Sequence, residues 1–202
     1  MDEDINKKTL EAYEQGVEQY NAAAIPISGS LKDWIDASLK LLPANAHILE
    51  LGSAHGRDAD YIEAKGFKVD RTDAAQAFVD YLKSLNKDAR LLNALTDNYG
   101  GPYDMVYANA VLLHFTPEQA ASVLEKVHNA LKPSGLFSFS VKIGDGFAWS
   151  KAKLNAPRYF TYWQEQPLKE LVANAHFDII YWQEAKTGHT SEDWYHIIAR
   201  KL

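Results

Sequence analysis

His47-Ile48-Leu49-Glu50-Leu51-Gly52-Ser53-Ala54-His55-Gly56-Arg57-Asp58-Ala59-Asp60 begins as an apolar strand, ends that strand on a carboxylate and a glycine, and opens a helix at a second glycine. Glycine at Gly52 and Gly56 lets the backbone turn sharply and pass close to a ligand, which a larger side chain would prevent. The same residues would also make an ordinary strand-to-helix turn. What the loop does therefore depends on the chain around it.

Downstream, the hydrophobic period alternates between two and 3.6 residues. It predicts strand 46–51, helix 56–65, strand 67–71, helix 74–85 and a short strand near 90–92. Strand 103–108 follows, then helix 117–131, which starts at Thr116 with Pro117 as its first residue. Strand 135–142 comes after the turn Lys132-Pro133-Ser134-Gly135. Strands separated by helices require right-handed crossovers and a mostly parallel sheet covered on both faces. The expectation is a doubly wound α/β fold with its ligand at the carboxyl ends of the strands. After a helix at 165–174, His176–Glu184 and Asp193–Arg200 read as two strands joined by a short polar loop containing Gly188, close enough to pair antiparallel. The strands number seven.

Upstream, Thr9 to Tyr20 places Ala12, Tyr13, Gly16, Val17 and Tyr20 near one helical face, and Leu31, Trp34, Ile35, Ser38, Leu39 and Leu42 do the same. Pro26, Ser28, Gly29 and Ser30 interrupt the two patterns. Residues 1–30 are read as a helical lead segment and 31–202 as the main domain, within one folded unit.

The 202 residues suit one well-cored domain. A formal charge of −6 disfavours a nucleic-acid partner. The absence of cysteine removes disulfides, thiolate metal sites and cysteine nucleophiles, and fits a cytoplasmic protein. The acidic start MDEDINKK is unlike a secretory signal, and no run approaches about 18 apolar residues, so neither export nor membrane insertion is expected. His176, His189 and His196 are too scattered for a metal site, and no metal is expected.

Asp73 closes the second strand, where a carboxylate can accept both hydroxyl hydrogens of a ribose or cap the helix that follows. A dinucleotide oxidoreductase would want the same acid, but its G-x-G-x-x-G fingerprint needs glycines where Ala54 and Arg57 stand. Glu50-Leu51-Gly52-Ser53-Ala54-His55-Gly56 resembles instead the E/D-x-G-x-G-x-G loop of the class I S-adenosylmethionine-dependent methyltransferase family, with alanine in place of the middle glycine.

The resemblance runs from about Thr9 to the end of the chain. It implies a Rossmann-like methyltransferase fold with lid helices at the amino terminus, and S-adenosyl-L-methionine as cofactor. It places Glu50, Gly52, Ser53, Ala54 and Gly56 around the cofactor, and Arg57, in Gly56-Arg57-Asp58-Ala59, on its carboxylate. It also implies Asp73 on the ribose, Asn93-Ala94-Leu95 over the adenine, Asn109-Ala110 beneath the amino-acid portion and Tyr20, with Tyr13, on a lid.

Methyl transfer is an in-line displacement that gains most from alignment and exclusion of water. A hydroxyl or protonated amine acceptor is helped by a base, for which His114, just after the fourth strand, is the candidate; a buried histidine lining the cofactor site is the alternative. Arg158, Tyr159, Tyr162 and Trp163 lie in an aromatic run suited to an acceptor pocket or to packing of a lid. The expected activity is methyl transfer to an oxygen or nitrogen of a small molecule. The alternatives are a tRNA or protein acceptor, or a noncatalytic cofactor-binding module.

Overall fold

The computed structural model of the protein describes residues 2–186 and 193–202. Gly188 and His189, assigned above to a loop and to no metal site, lie outside the described residues. The chain opens with helices α1 (Asp2–Gln15), α2 (Val17–Ala22) and α3 (Gly29–Lys40). It continues through β1 (His47–Leu51), α4 (Arg57–Glu63), β2 (Lys68–Asp73), α5 (Gln76–Ser84), β3 (Ala89–Leu91), β4 (Tyr103–Ala108), α6 (Pro117–Ala130) and β5 (Leu131–Lys142). A hairpin of β6 (Phe147–Ser150) and β7 (Arg158–Thr161) precedes α7 (Glu165–Asn174), β8 (Phe177–Lys186) and β9 (Asp193–Lys201).

Seven strands form one sheet in the order β3-β2-β1-β4-β5-β9-β8. The pairs from β3 to β5 are parallel, and β9 lies antiparallel between β5 and β8. The chain builds outward from β1 to β3, then returns to lay β4 on the other side of β1. Between β1 and β4 the strand order therefore reverses, which opens a crevice at the carboxyl ends where neither crossover covers the sheet.

Each face of the sheet carries its own apolar layer. On one, Trp34, Ile35 and Leu39 of α3 and Ala59 and Ile62 of α4 bury against Ile48, Met105 and Ile198. On the other, Val123, Leu124 and Val127 of α6 and Leu168 and Val172 of α7 cover Val106, Phe137 and Phe139. The start of α6 is fixed locally: Thr116 Oγ1 accepts from Gln119 N, the Gln119 side chain returns to Thr116 N, and Pro117 supplies the first turn.

Three local features depart from the sequence expectation. The single lead helix is broken at Gly16 (φ −107°, ψ 11°) into α1 and α2, and a side chain there would lie 2.9 Å from Ala12 O and 3.0 Å from Leu154, which reserves the break for glycine. The expected turn at 132–135 is absorbed into β5 as an irregularity: Leu131 pairs with Tyr103 and Leu136 with Met105. The third is the β6–β7 hairpin, whose strands of four residues each are too short for a period-two signal, with all four residues of β7 buried.

Candidate functional site

A cleft of about 690 Å³, its open mouth included, lies at the carboxyl ends of β1, β2 and β4. Ten of the residues singled out in the sequence line it: Tyr13, Tyr20, Gly52, Ala54, Asp73, Asn93, Ala94, Asn109, Ala110 and His114. They come from five separated stretches, brought together by the reversal of strand order.

The floor is shaped by backbone. Gly52 adopts φ +71°, and a Cβ there would stand 2.7 Å from Val111 Cγ2, so only glycine lets the loop pack this closely on Val111 at the cleft wall. Ala54 (φ 46°) and Ala110 (φ 58°) also sit in the left-handed region, where their methyl groups are strained. Asp73 ties the loop to the next helix: Oδ2 accepts from Ala54 N at 2.8 Å and Oδ1 from Ala75 N at 2.9 Å. Burial pushes its carboxyl up to about 6 despite these bonds. Asp73 is not the cap of α5, whose N-cap is Ala75; its side chain lines the cleft and bonds the backbone on either side of it.

Behind the floor lies a polar layer. Ser53 joins the loop to β2, its N–H donating to Thr72 O at 2.8 Å and its Oγ accepting from Thr72 N at 3.1 Å. Gly56, at φ +81°, starts α4 where a Cβ would meet Leu82 at 2.8 Å. Glu50 is buried with Oε2 unpartnered, and burial next to Asp58 raises its carboxyl to about 8. Arg57 turns away from the cleft, its Nε donating to Asp58 at 2.7 Å and its Nη1 to Ile25 O at 3.1 Å. Asp58 also accepts from Tyr107 Oη (3.0 Å) and Asn109 Nδ2 (2.8 Å), while Asn109 Oδ1 accepts from Ser140 Oγ (2.7 Å). Arg57 therefore acts on the cleft through Asp58 and Asn109. Leu95 packs on the core, its N–H bonded to Asn93 Oδ1 at 3.0 Å.

The lead segment roofs the cleft. Asn6, Thr9, Leu10 and Tyr13, one stripe of α1, all line it. Asn93 Nδ2 donates to Asn6 Oδ1 at 2.8 Å, and Tyr159 N to Thr9 Oγ1 at 3.1 Å. Glu14 accepts from Gln76 N (2.5 Å) and Ala77 N (3.0 Å) at the start of α5. Tyr20 faces Phe78 at 5.4 Å and His55 at 5.8 Å, with Lys153 Nζ 3.4 Å above its ring. His114 is buried, with Nδ1 2.7 Å from Tyr159 O and Nε2 2.8 Å from Tyr13 Oη. Burial holds its imidazole down to about 3.

The aromatic run divides. Arg158 reaches the roof, donating from Nη1 to Tyr13 Oη at 3.2 Å. Tyr159, Tyr162 and Trp163 line a second cleft with Phe147 and Pro117, and Trp163 belongs to the buried core. Of the remaining histidines, His196 stacks on Trp34 at 4.8 Å in the core and His176 faces His128 at 6.2 Å. Asn6, Thr9, Leu10, Phe78 and Val111 were not foreseen in the sequence, although the i, i+3, i+4, i+7 spacing of Asn6, Thr9, Leu10 and Tyr13 is a legible helical stripe. Asp58 was missed too, hidden as an ordinary first-turn acid.

Residues 49–137 match the family described as a methyltransferase domain. No curated protein matches the chain in sequence. Among solved structures, the chain is similar to 1,6-didemethyltoxoflavin-N1-methyltransferase of Burkholderia thailandensis, bound to 1,6-didemethyltoxoflavin and S-adenosylhomocysteine: 22% identity over 84% of this chain and 78% of that one, TM-score 0.66. It is also similar to the CcbJ methyltransferase of Streptomyces caelestis (15% identity, 95% and 98% coverage, TM-score 0.71). A third is magnesium protoporphyrin IX methyltransferase of Synechocystis PCC 6803 with bound S-adenosylmethionine (14%, 98% and 84%, TM-score 0.63).

Proposed function

We propose that the chain, whose residues 49–137 match a methyltransferase domain, is a class I S-adenosylmethionine-dependent methyltransferase that moves the methyl group to an oxygen or nitrogen of a small molecule. The observation that carries this reading is the roof: α1 closes over the cleft and is bonded to it at Asn6, Thr9, Tyr13 and Glu14. An acceptor must fit beneath that helix, which favours a compact molecule over an RNA or protein chain. The net charge of −6 points the same way, as does the small heteroaromatic molecule bound to the Burkholderia neighbour. The reading has the enzyme in the cytoplasm, with support from its lack of cysteine. Among the described residues no helix is long and apolar enough to cross a membrane.

The cleft suits the cofactor: Gly52 lets the loop backbone pack directly against Val111 at the cleft wall, and Asp73 brings a buried carboxylate into the same cavity. Asp73 would hold the ribose hydroxyls, Asn93 and Ala94 would border the adenine, and Gly52, Ala54, Asn109 and Ala110 would border the amino-acid end. When bound, S-adenosylmethionine supplies an electrophilic methyl carbon. The chain's own part is to align the acceptor, exclude water under α1 and provide a place for the acceptor's proton.

Calorimetric titration with S-adenosylhomocysteine tests the site. Asp73→Asn should weaken binding tenfold or more, the worth of about 1.5–3 kcal/mol for hydrogen bonds to a charged group. Wild-type affinity should also fall as pH drops through about 6, where Asp73 takes a proton and loses an acceptor. Release of S-adenosylhomocysteine with small hydroxyl and amine compounds would support the small-molecule reading, and release only with RNA or protein would overturn it.

A further inference from the structure

Tyr13, His114 and Arg158 form a chain whose hydrogen-bond directions are set by its two ends. The Tyr159 carbonyl can only accept, so the hydrogen of the neutral imidazole sits on Nδ1, 2.7 Å away. Nε2 is then bare and accepts from Tyr13 Oη–H at 2.8 Å. At the other end the Arg158 guanidinium can only donate, and its Nη1 gives a hydrogen to Tyr13 Oη at 3.2 Å. The phenolic oxygen keeps one lone pair. Tyr13 is half-buried and lines the cleft, whereas both ring nitrogens of His114 are occupied. A molecule in the cleft reaches the basicity of the imidazole only by way of Tyr13.

We infer that Tyr13, rather than His114, takes the proton of a hydroxyl acceptor, handing its own to His114 Nε2. The acceptor's oxygen–carbon bond forms as the carbon–sulfur bond breaks with its electron pair left on sulfur. The acceptor's O–H proton moves to Tyr13 Oη, and the phenolic proton moves to Nε2. One positive charge enters with the sulfonium and ends on the imidazolium, so charge and atoms balance. Arg158 is a positioning residue: buried, 5.5 Å over the Tyr13 ring and bonded to its oxygen, it steadies the phenol while its proton is in transit.

The weakness of the buried base supports a hydroxyl acceptor. Burial, with the charges of Arg158 and Lys142, holds His114 down to about 3. Such a base leaves an alkylammonium, with a pKa of about 10, untouched. An oxygen that has just gained a methyl group is a far stronger acid than an imidazolium, and it yields its proton. The chain therefore acts late, as the new bond forms.

This inference rests on the small-molecule reading above, and the tests separate the two. Nitrogen NMR of histidine-labelled enzyme saturated with S-adenosylhomocysteine needs no acceptor. The expected result is a neutral His114 with hydrogen on Nδ1, whose Nε2 resonance shifts in Tyr13→Phe as its donor is lost. Hydrogen on Nε2, or an unmoved resonance, overturns the chain. Turnover is then followed as S-adenosylhomocysteine release with phenol, catechol, benzyl alcohol and benzylamine. Tyr13→Phe should lower kcat on a hydroxyl probe by about 10²-fold, with S-adenosylhomocysteine affinity kept within about threefold. Tyr13→Phe combined with His114→Gln should be no slower than the slower single variant. Near-wild-type kcat in Tyr13→Phe, a parallel loss of affinity, or turnover of benzylamine alone each overturns the inference. Release with none of the four counts against the small-molecule reading and leaves the tautomer to decide this one.

Discussion

Ala54 stands at φ 46° in the cofactor loop, where a methyl group costs roughly 1–2 kcal/mol relative to glycine. It is held there because its N–H is bonded to Asp73 and the flanking Ser53 is bonded to β2. Ala54→Gly removes the strain but frees the unfolded chain, which takes back about 0.4–1 kcal/mol. The expected net is a rise in Tm of roughly 2 °C, with S-adenosylhomocysteine bound no more weakly. A lower Tm in scanning calorimetry would show that the alanine methyl contributes packing that outweighs its strain. The residue scale also separates Arg57 from Asp58: both stand in the same motif, but the side chain of Arg57 is spent on Asp58 and Ile25 O.

At the scale of elements, α1 is held by polar contacts at its ends and by Tyr13 in between. Glu14 places a carboxylate on the first free N–H groups of α5, where the helix dipole favours a negative charge by about 0.3–1 kcal/mol. Glu14→Gln should therefore loosen the roof without touching the floor. Amide exchange in α1 should quicken by roughly two- to fivefold, while exchange in β1 and β4 stays unchanged; equal rates in α1 would mean that Glu14 plays no part in holding it. The β6–β7 hairpin has a different task. Its residue Tyr159 gives its N–H to Thr9 and its carbonyl to His114, so four residues of strand join roof and site. Phe147 stacks on the Tyr159 ring and Trp149 meets it edge-on, each at 5.6 Å, and both help to hold that strand in place.

For the whole molecule, burying ionisable groups beneath the cleft couples stability to pH. Glu50 rises from 4.5 to about 8, so the folded state binds a proton that the unfolded chain releases. Its contribution is fully present below pH 4.5 and is lost as pH rises towards about 8. Glu50→Gln, which stays neutral, should flatten the fall in Tm between about pH 5 and pH 8; an unchanged profile would show that Glu50 is ionised in the native protein. His114 works with the opposite sign. Its folded value of about 3 lies below 6.5, so its contribution is present above pH 6.5 and is lost as pH falls towards 3. His114→Asn should blunt the acid limb of the same curve.

The alternation of strand and helix, Glu50 and Gly52 at the end of β1, Asp73 at the end of β2 and the capping box at Thr116 were all legible in the sequence. Each is written in residues close together in the chain: periodicity, glycine and capping act over a few positions. The hairpin was not, because strands of four residues carry no period. The direction of Arg57, the second cleft beneath Tyr162 and Trp163, and the engagement of both nitrogens of His114 were not legible either. Tyr13 and His114 stand 101 residues apart, and His114 and Tyr159 another 45. Their contact exists because the strand order reverses between β1 and β4 while α1 and β7 close over the gap. By itself the sequence determined which loop, from Gly52 to Gly56, turns at the carboxyl end of β1 and borders the cleft. Only the tertiary structure decided that Tyr13 stands on His114 in the cleft, since that depends on long-range packing that brings a phenol onto an imidazole 101 residues away.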